Sequence, residues 1–427
     1  MSTSPSDILK QFRWPGQPQD IHSHEPSTNP ALNHVKGVVG RLTGAWEEDT
    51  DLISRFFPVT NLVRKRFSSM QQGRAKAHSG LRWTGIKRNP KTVSQLYTPL
   101  NNLINRIIRV FDQDEEGNRR LCLNTSKARV APKPFRPVWP GLLLVGTGKH
   151  FVSSPVQRPL RDYSLAICPI EVVDKIDTTT SDDILTSRNR LASHMVDLFA
   201  NQFTRRFAFG LIISQNELIV LFIDTSGILI SPPLDYHEHP ERFCAIISGL
   251  ASLTPEAIGL DTTLHVNHRD QGFIRVPNKA RRTKYVEYII KAIIHFSKFP
   301  IGRRTLCFSV CDPTNLESEY VLKDSWVEME LEGREFEASL LHHAHGKGIE
   351  LGIPTLVHSG EIKMRGRSGR QRIDSTSLNR RLDEISKSKK DRVHFRLVMT
   401  PNGRPLFEFH SQREFLIAYR DAIQGKD

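Results

Sequence analysis

The order of short apolar segments in residues 276–427 constrains the fold of this chain most. Strand-like runs and one internal helical pattern follow one another there, separated by polar turns. Short strands joined by turns pair as an antiparallel sheet, and the helix between them then covers one face. The predicted elements are a strand before Gly302, strands at 306–311 and 320–323, a helix at 328–343, strands at 353–358 and 393–399, and a final helix at 411–424.

This order of elements resembles the small lobe of a protein kinase. In that lobe a lysine on the third strand and a glutamate on the following helix position the nucleotide phosphates. Lys323 is the candidate lysine. Glu337 is its predicted partner, because Glu-x-x-Leu-Leu would place Leu340 and Leu341 on the packing side of the helix, and Glu335 is the alternative.

The loop that should cover the phosphates is unusual. Kinases have several glycines there, so that the backbone approaches the phosphates closely. Here Gly302 stands alone, and Arg304 occupies the position of the second glycine. Gly302 is therefore a predicted nucleotide contact, and the Arg304 guanidinium could replace a backbone contact.

The tripeptide at 268–270 spells His-Arg-Asp, as in a kinase catalytic loop, but it precedes Lys323. Arg275 stands where the magnesium-binding asparagine should be, and no Asp-Phe-Gly follows Lys323. We therefore interpret residues 268–270 as a chance match and assign no catalytic or metal-binding residue.

The chain resembles the fungal-type protein kinase family over residues 199–250 and 301–423. The likeness is most specific at residues 205–227 and at Leu-Lys-Asp-Ser-Trp, residues 322–326. It implies a kinase fold, ATP as cofactor and phosphorylation of protein serine or threonine, with Lys323, Glu337 and Gly302 at the nucleotide. The family's catalytic loop and metal-binding aspartate have no counterpart after Lys323. The expectation is an incomplete, inactive chain that does not hold magnesium by itself.

The upstream region resembles a degenerate nuclease core of the PD-(D/E)xK kind. Strands are predicted at 142–145, 165–170, 207–213 and 218–223, with helices at 187–202 and 240–249. Such nucleases use two carboxylates for magnesium and a lysine at the attacked phosphate. Here the aspartate position is Gly141 and the lysine position is Val173, so only Glu171 remains. Asp162 or Lys175 could substitute, but the sequence does not place them.

The predicted fold class is α+β. Residues 1–33 are polar and Pro-rich, which predicts a disordered tail. Residues 34–275 are predicted to form a helical and nuclease-like α/β domain, and residues 276–427 a kinase-like small lobe without the large lobe. A Ser/Arg/Lys-rich stretch at 361–392 is predicted to be a flexible surface loop.

Charge suggests a second kind of function. The net charge is +14, and two stretches account for more than all of it. Residues 64–91 contain nine Lys/Arg and no acid, and residues 361–396 contain twelve Lys/Arg and five Asp/Glu. Such clusters suit nucleic acid or another polyanion, so the alternative is a nucleic-acid-binding or scaffold protein.

Other sequence features bear on the cellular location of the protein. Residues 1–30 lack an apolar signal-peptide core, and the sequence has no membrane-length apolar run. The five cysteines form no CxxC pair, which predicts reduced thiols. An intracellular protein, cytoplasmic or nuclear, is therefore expected, with a protein substrate or partner and no membrane. Its substrate and oligomeric state stay open.

Overall fold

The computed structural model describes residues 30–72, 76–79, 81–111, 119–126, 140–147, 151, 163–176, 186–252, 254–266, 272–278, 285–329, 337–350, 352–365, 369–382, 391–403 and 409–424. These residues form two compact units. The first unit comprises the described residues up to Thr262 together with Lys298–Gly302. The second comprises Thr263–Ser297 and the described residues from Arg303 onward.

The helices and strands of the first unit include most of those predicted. A helix already begins at Pro30, inside the predicted tail, whose residues 1–29 lie outside the described part of the chain. The helices are α1 (Pro30–Leu42), α2 (Leu52–Phe56), α3 (Asn61–Met70), α4 (Ser94–Phe111), α5 (Ser187–Asn201) and α6 (Pro240–Leu250), with 3-10 turns at Tyr163–Leu165 and Pro255–Ile258. The strands are β1 (Trp46–Glu48), β2 (His78–Ser79), β3 (Arg82–Trp83), β4 (Arg120–Asn124), β5 (Leu142–Gly146), β6 (Ala166–Val172), β7 (Ala208–Ile213), β8 (Glu217–Asp224), β9 (Gly227–Ile230) and β10 (Leu234–Asp235).

The main sheet of the first unit is mixed. Its strand order is β1-β9-β8-β7-β6-β5-β4, with β10 beside β8. β6 and β7 are parallel, and α5 connects them, which is the usual crossover between parallel strands. Both faces of the sheet are covered, because Leu142 and Leu144 belong to the core with α4, whereas Leu143 and Val145 belong to the core with α5.

The second unit is built on an antiparallel sheet. Its strands are β11 (Leu264–Val266), β12 (Gly272–Pro277), β13 (Tyr285–Phe296), β14 (Leu306–Asp312), β15 (Asn315–Glu328), β16 (Thr355–Glu361), β17 (Lys363–Arg365), β18 (Gln371–Ile373) and β19 (Arg392–Thr400), and its helices are α7 (Glu337–Gly346), α8 (Thr376–Asn379) and α9 (Gln412–Gln424). The order is β11-β12-β13-β14-β15-β19-β16, and β17 pairs with β18. The sheet with a covering helix confirms a mixed α and β architecture.

Three predictions about the chain differ from the structure: a domain boundary, the start of a helix and a flexible loop. The domain boundary predicted after residue 275 falls inside β12, which pairs with β13 along its whole length and so cannot be divided there. The helix predicted from residue 328 begins at Glu337 among the described residues, because β15 continues to Glu328 alongside β19. The predicted flexible loop at 361–392 contains β17, β18 and α8, with Asp374 fully buried.

No helix in the described part of the chain is both long enough and apolar enough to cross a bilayer.

Candidate functional site

Lys323 lies in the middle of the second unit's sheet. It is directly opposite Cys307 on β14 and Leu397 on β19. Its side chain points to the face that α7 covers, because Leu397 and the alternate residues Phe395 and Met399 pack against that helix. The ammonium is therefore held on a rigid strand, and its side chain is 22% exposed.

Glu337 is the first residue of α7 and forms the partner of Lys323. The Lys323 Nζ donates to both carboxylate oxygens, at 2.9 Å to Oε1 and 2.6 Å to Oε2. A carboxylate at a helix N-terminus is also favoured by the helix dipole. The structure thus brings together two residues predicted from sequence, 14 positions apart. The alternative partner, Glu335, lies outside the described residues.

The packing of α7 fixes the position of Glu337. Ala338 and Leu341 are buried in the core with Leu397 and Met399. The prediction that Leu340 packs as well is wrong, because its side chain is 55% exposed. The reason is helical periodicity: Ala338 and Leu341 are three residues apart on one face, and Leu340 is turned about 100° away from Leu341.

Arg303 is a further cation at this pair, and nothing in the sequence analysis singled it out. Its Nη2 lies 3.9 Å from Glu337 Oε2, and its side chain is 60% exposed. Arg304, the guanidinium predicted near phosphate, is instead buried, and it lies 5.8 Å from the centre of the Phe296 ring. Adjacent side chains of an extended segment point in opposite directions. The sequence before β14 could therefore have suggested that only one of Arg303 and Arg304 faces this site.

Gly302 has a positive φ of +102°, which favours glycine. Its amide donates to the Thr225 carbonyl at 2.9 Å, within the first unit. Lys323 and Glu337 belong to the second unit. The predicted nucleotide contact at Gly302 stays a prediction.

The chemistry available at Lys323 suits an anionic oxygen. An ammonium has three N–H donors, and Glu337 accepts two hydrogen bonds. One donor is left for a phosphate oxygen, and the exposed Arg303 guanidinium adds a planar set of donors. Cys307 lies beside the pair, where burial raises the pKa of its thiol and the Lys323 charge opposes that rise. The thiol is therefore neutral and apolar near neutral pH.

The opposite face of β15 carries a buried charged network that the sequence analysis missed. Asp324 accepts from Arg396 Nε at 3.0 Å and Nη2 at 2.9 Å, and it also contacts His394 Nε2. The other ring nitrogen of His394, Nδ1, lies 2.9 Å from an Asp374 oxygen. Arg396 Nη1 donates to Thr263 Oγ1 and to the Arg275 carbonyl, both at 2.7 Å.

In the first unit, Glu171 does not have the surroundings of a magnesium ligand. Arg190 Nε lies 3.0 Å from its carboxylate, and the Gly141 amide donates to it. A Cβ at residue 141 would lie 2.4 Å from the Tyr97 ring, so an aspartate does not fit the present packing. Val173 is buried and Lys175 is exposed, while Asp162 lies outside the described residues.

The His-Arg-Asp tripeptide at 268–270 also lies outside the described residues. Arg275, which follows it, is a β12 residue whose Nε donates to Glu287 Oε1 at 2.8 Å.

Comparison with known proteins gives one result. Residues 151–427, more than half of the chain, match the sequence model of a family described as fungal protein kinase. The matched range includes β6, α5 and β7 of the first unit as well as the whole second unit. No curated protein and no solved structure matches the chain significantly.

Proposed function

The chain belongs to the fungal protein kinase family, and on that premise we propose that its second unit binds ATP through Lys323, Glu337 and Arg303. The observation that carries the proposal is the two-oxygen contact between Lys323 and Glu337 at a partly exposed position on a packed strand. In a catalytically complete member of the family, ATP would supply the phosphoryl group to a protein serine or threonine. Lys323 and Arg303 would bind phosphate oxygens, while Glu337 would orient both cations.

Nucleotide titration of the purified full chain tests this role. Lys323→Met should weaken ATP binding at least tenfold, since it removes the cation that is the less exposed of the two and is fixed by the strand. Arg303→Gln should weaken it about threefold, as expected for an exposed charge. Lys291→Met is a matched control, because Lys291 also pairs with a carboxylate in this sheet, Glu319 at 3.0 Å.

The control variant should bind like the wild type. The nucleotide role is wrong if the wild type does not bind ATP at millimolar concentration, or if Lys323→Met binds as tightly as Lys291→Met.

We further propose that these 427 residues alone do not transfer phosphate and do not hold magnesium by themselves. Support comes from the sequence, since no catalytic-loop or Asp-Phe-Gly motif follows Lys323. Incubation with magnesium, labelled ATP and a generic protein substrate should give no labelled product. Labelling that disappears in Lys323→Met would contradict this proposal while supporting the nucleotide site.

For the first unit we propose a nuclease-like scaffold without nuclease chemistry. The contacts of Glu171 with Arg190 and the Gly141 amide support this, because they leave its carboxylate paired. Duplex and single-stranded DNA should stay intact with magnesium or manganese. Metal-dependent cleavage that is abolished in Glu171→Gln would establish a nuclease instead.

A further inference from the structure

The first unit exposes a stretch of chain whose own charged residues are all positive, formed by α3, the β2–β3 hairpin and the turn before α4. We call the described residues of this stretch, 61–72, 76–79 and 81–94, the basic segment. The sequence contains no aspartate or glutamate between Asp51 and Asp112. On α3 the exposed side chains include Arg64, Lys65 and Ser68, and further along Lys76, Lys87, Arg88 and Lys91 are exposed. Ordinary surfaces intersperse both signs, so this segment produces a strong local positive potential.

The exposed cations are largely unneutralised. Lys65, Lys76, Lys87, Arg88 and Lys91 form no ion pair within the described part of the chain. Arg64 lies 3.6 Å from Glu241 of α6, and both side chains are well exposed, at 57% and 39%. Solvent weakens such a pair, so it leaves Arg64 able to contact another anion.

The basic segment is also held rigidly. Trp83 is buried, its Nε1 donates to the Tyr236 carbonyl at 2.8 Å, and its amide donates to His237 Nδ1 at 3.0 Å. His78 Nε2 lies 2.8 Å from the His237 carbonyl. Arg82 Nη1 donates to Asn216 Oδ1 at 3.0 Å. The cations on and beside this hairpin are therefore presented by a fixed backbone, which lowers the entropy cost of binding.

Within its described residues the second basic stretch exposes fewer cations, Lys363 and Arg370 among them. Arg396 is fully buried with Asp324, Arg392 pairs with Glu328, and Arg380 is buried as well. Several other residues of that stretch lie outside the described residues. The cationic surface that the structure supports is the basic segment.

We propose that the basic segment binds the phosphate backbone of double-stranded nucleic acid without sequence preference. Most of its exposed side chains are cations or carry hydroxyl and amide groups, such as Ser68, Ser69 and Asn89, and these groups contact phosphates and sugars. Single strands are bound by stacking on aromatic rings. In this segment Trp83 is buried and Phe67 half-buried, so the surface lacks such a platform among its described residues.

A lipid surface fits less well than a duplex. An interfacial helix turns its apolar face outward to the bilayer. The apolar residues Val63 and Met70 of α3 are instead buried in the core, and the exposed large apolar side chains of the segment are Leu62 and Leu81.

The test is fluorescence anisotropy of the full chain with a labelled duplex of about 20 base pairs, without ATP. Binding should weaken steeply between about 50 and 200 mM salt. The variant Lys65→Glu, Lys87→Glu, Arg88→Glu should bind at least tenfold more weakly at the lower salt. The slope of the logarithm of the binding constant against the logarithm of the salt concentration should also become shallower by about three, one for each phosphate that is no longer neutralised.

The matched control is Lys347→Glu, Lys363→Glu, Arg370→Glu, which makes the same charge change at exposed residues of the second unit. It should bind the duplex within about twofold of wild type, and thermal melting should show both variants folded. The proposal is overturned if the wild type does not bind the duplex at about 50 mM salt, or if the control is weakened as much as the segment variant. It is also overturned if a single strand binds more tightly, or if phosphatidylserine vesicles bind in place of the duplex. None of these outcomes depends on whether Lys323 contacts ATP.

Discussion

Two neighbouring residues of β15, Lys323 and Asp324, lie on opposite faces of one sheet and have opposite surroundings. Lys323 pairs with one carboxylate, and both partners are partly exposed, at 22% and 34%. Asp324 is buried with Arg396, His394 and, through His394, Asp374. The exposed pair can exchange a partner for a ligand, whereas the buried network cannot do so without leaving a charge unsolvated.

The buried network also has a structural consequence that the exposed pair lacks. Asp324 is directly opposite Arg396, and Trp326 is directly opposite His394 and stacks on it at 4.7 Å between ring centroids. A slip of one residue between β15 and β19 would move these charges to the face that α7 covers. The network therefore fixes the register that puts Lys323 beside Glu337. Asp374 lies just after β18, so it also ties the inserted hairpin to the sheet.

The largest expected effect is on stability, from Asp324→Asn. It leaves Arg396 and a charged His394 buried without their shared carboxylate, and breaking such a pair costs about 3–5 kcal/mol. Urea unfolding of the full chain, followed by circular dichroism, measures the decrease in unfolding free energy. Glu337→Gln is the matched change on the other face and should cost under about 1 kcal/mol, since its pair is partly exposed. Equal decreases in the two variants would show that the two faces do not differ as described.

The next effect is a pH dependence of the buried face. Burial lowers the pKa of His394, but the Asp324 and Asp374 carboxylates outweigh burial and raise it to about 9. A raised pKa means that the folded state binds the proton more tightly, so the stabilisation is complete below the unfolded pKa of about 6.5 and disappears as pH rises through about 9. Arg396 also contacts Asp324, and its guanidinium stays protonated throughout this range.

Comparison of wild type with His394→Asn isolates this contribution. The difference in unfolding free energy should be largest near pH 6 and should shrink by up to roughly 3 kcal/mol as the pH reaches about 10. Urea titrations at several pH values measure it. A difference that stays constant over this range would mean that His394 is neutral in the folded protein.

The two faces of β15 differ in how well the sequence predicts them, because the residues on one face are close in sequence and those on the other are far apart. Lys323 and Glu337 could be proposed as partners because a lysine in a short apolar strand, followed by a helical segment with Glu-x-x-Leu-Leu, is a local pattern whose two charged residues are only 14 positions apart. Asp324 is 70 positions from His394 and 72 from Arg396, so nothing local joins them. The alternation of His394 and Arg396 with Val393 and Phe395 was visible. It does not say whether the polar face meets water or an inserted segment.

Because the sequence does not show which side chains are buried, a count of charged residues also does not show which charges are exposed. The charge count places Arg396 in a basic stretch that is expected to bind a polyanion, although Arg396 is fully buried. The count at residues 64–91 was more informative, because the segment contains no acid and so cannot neutralise itself internally. Similarly, glycine spacing predicts Arg304 near the phosphates, whereas Arg303 is the arginine that lies near Glu337.

The smallest expected effect is the coupling between Lys323 and Glu337. A double-mutant cycle with Lys323→Met, Glu337→Gln and the double variant should give a coupling of about 0.5–1 kcal/mol in urea unfolding, because water screens a partly exposed pair. ATP affinity should behave differently. Once Lys323 is gone, Glu337→Gln has nothing to orient except the more exposed Arg303, so its further effect on binding should be under about twofold. A coupling in stability as large as the effect of Asp324→Asn would contradict the distinction between the faces. Fully additive decreases in ATP affinity would mean that Glu337 does not act through Lys323.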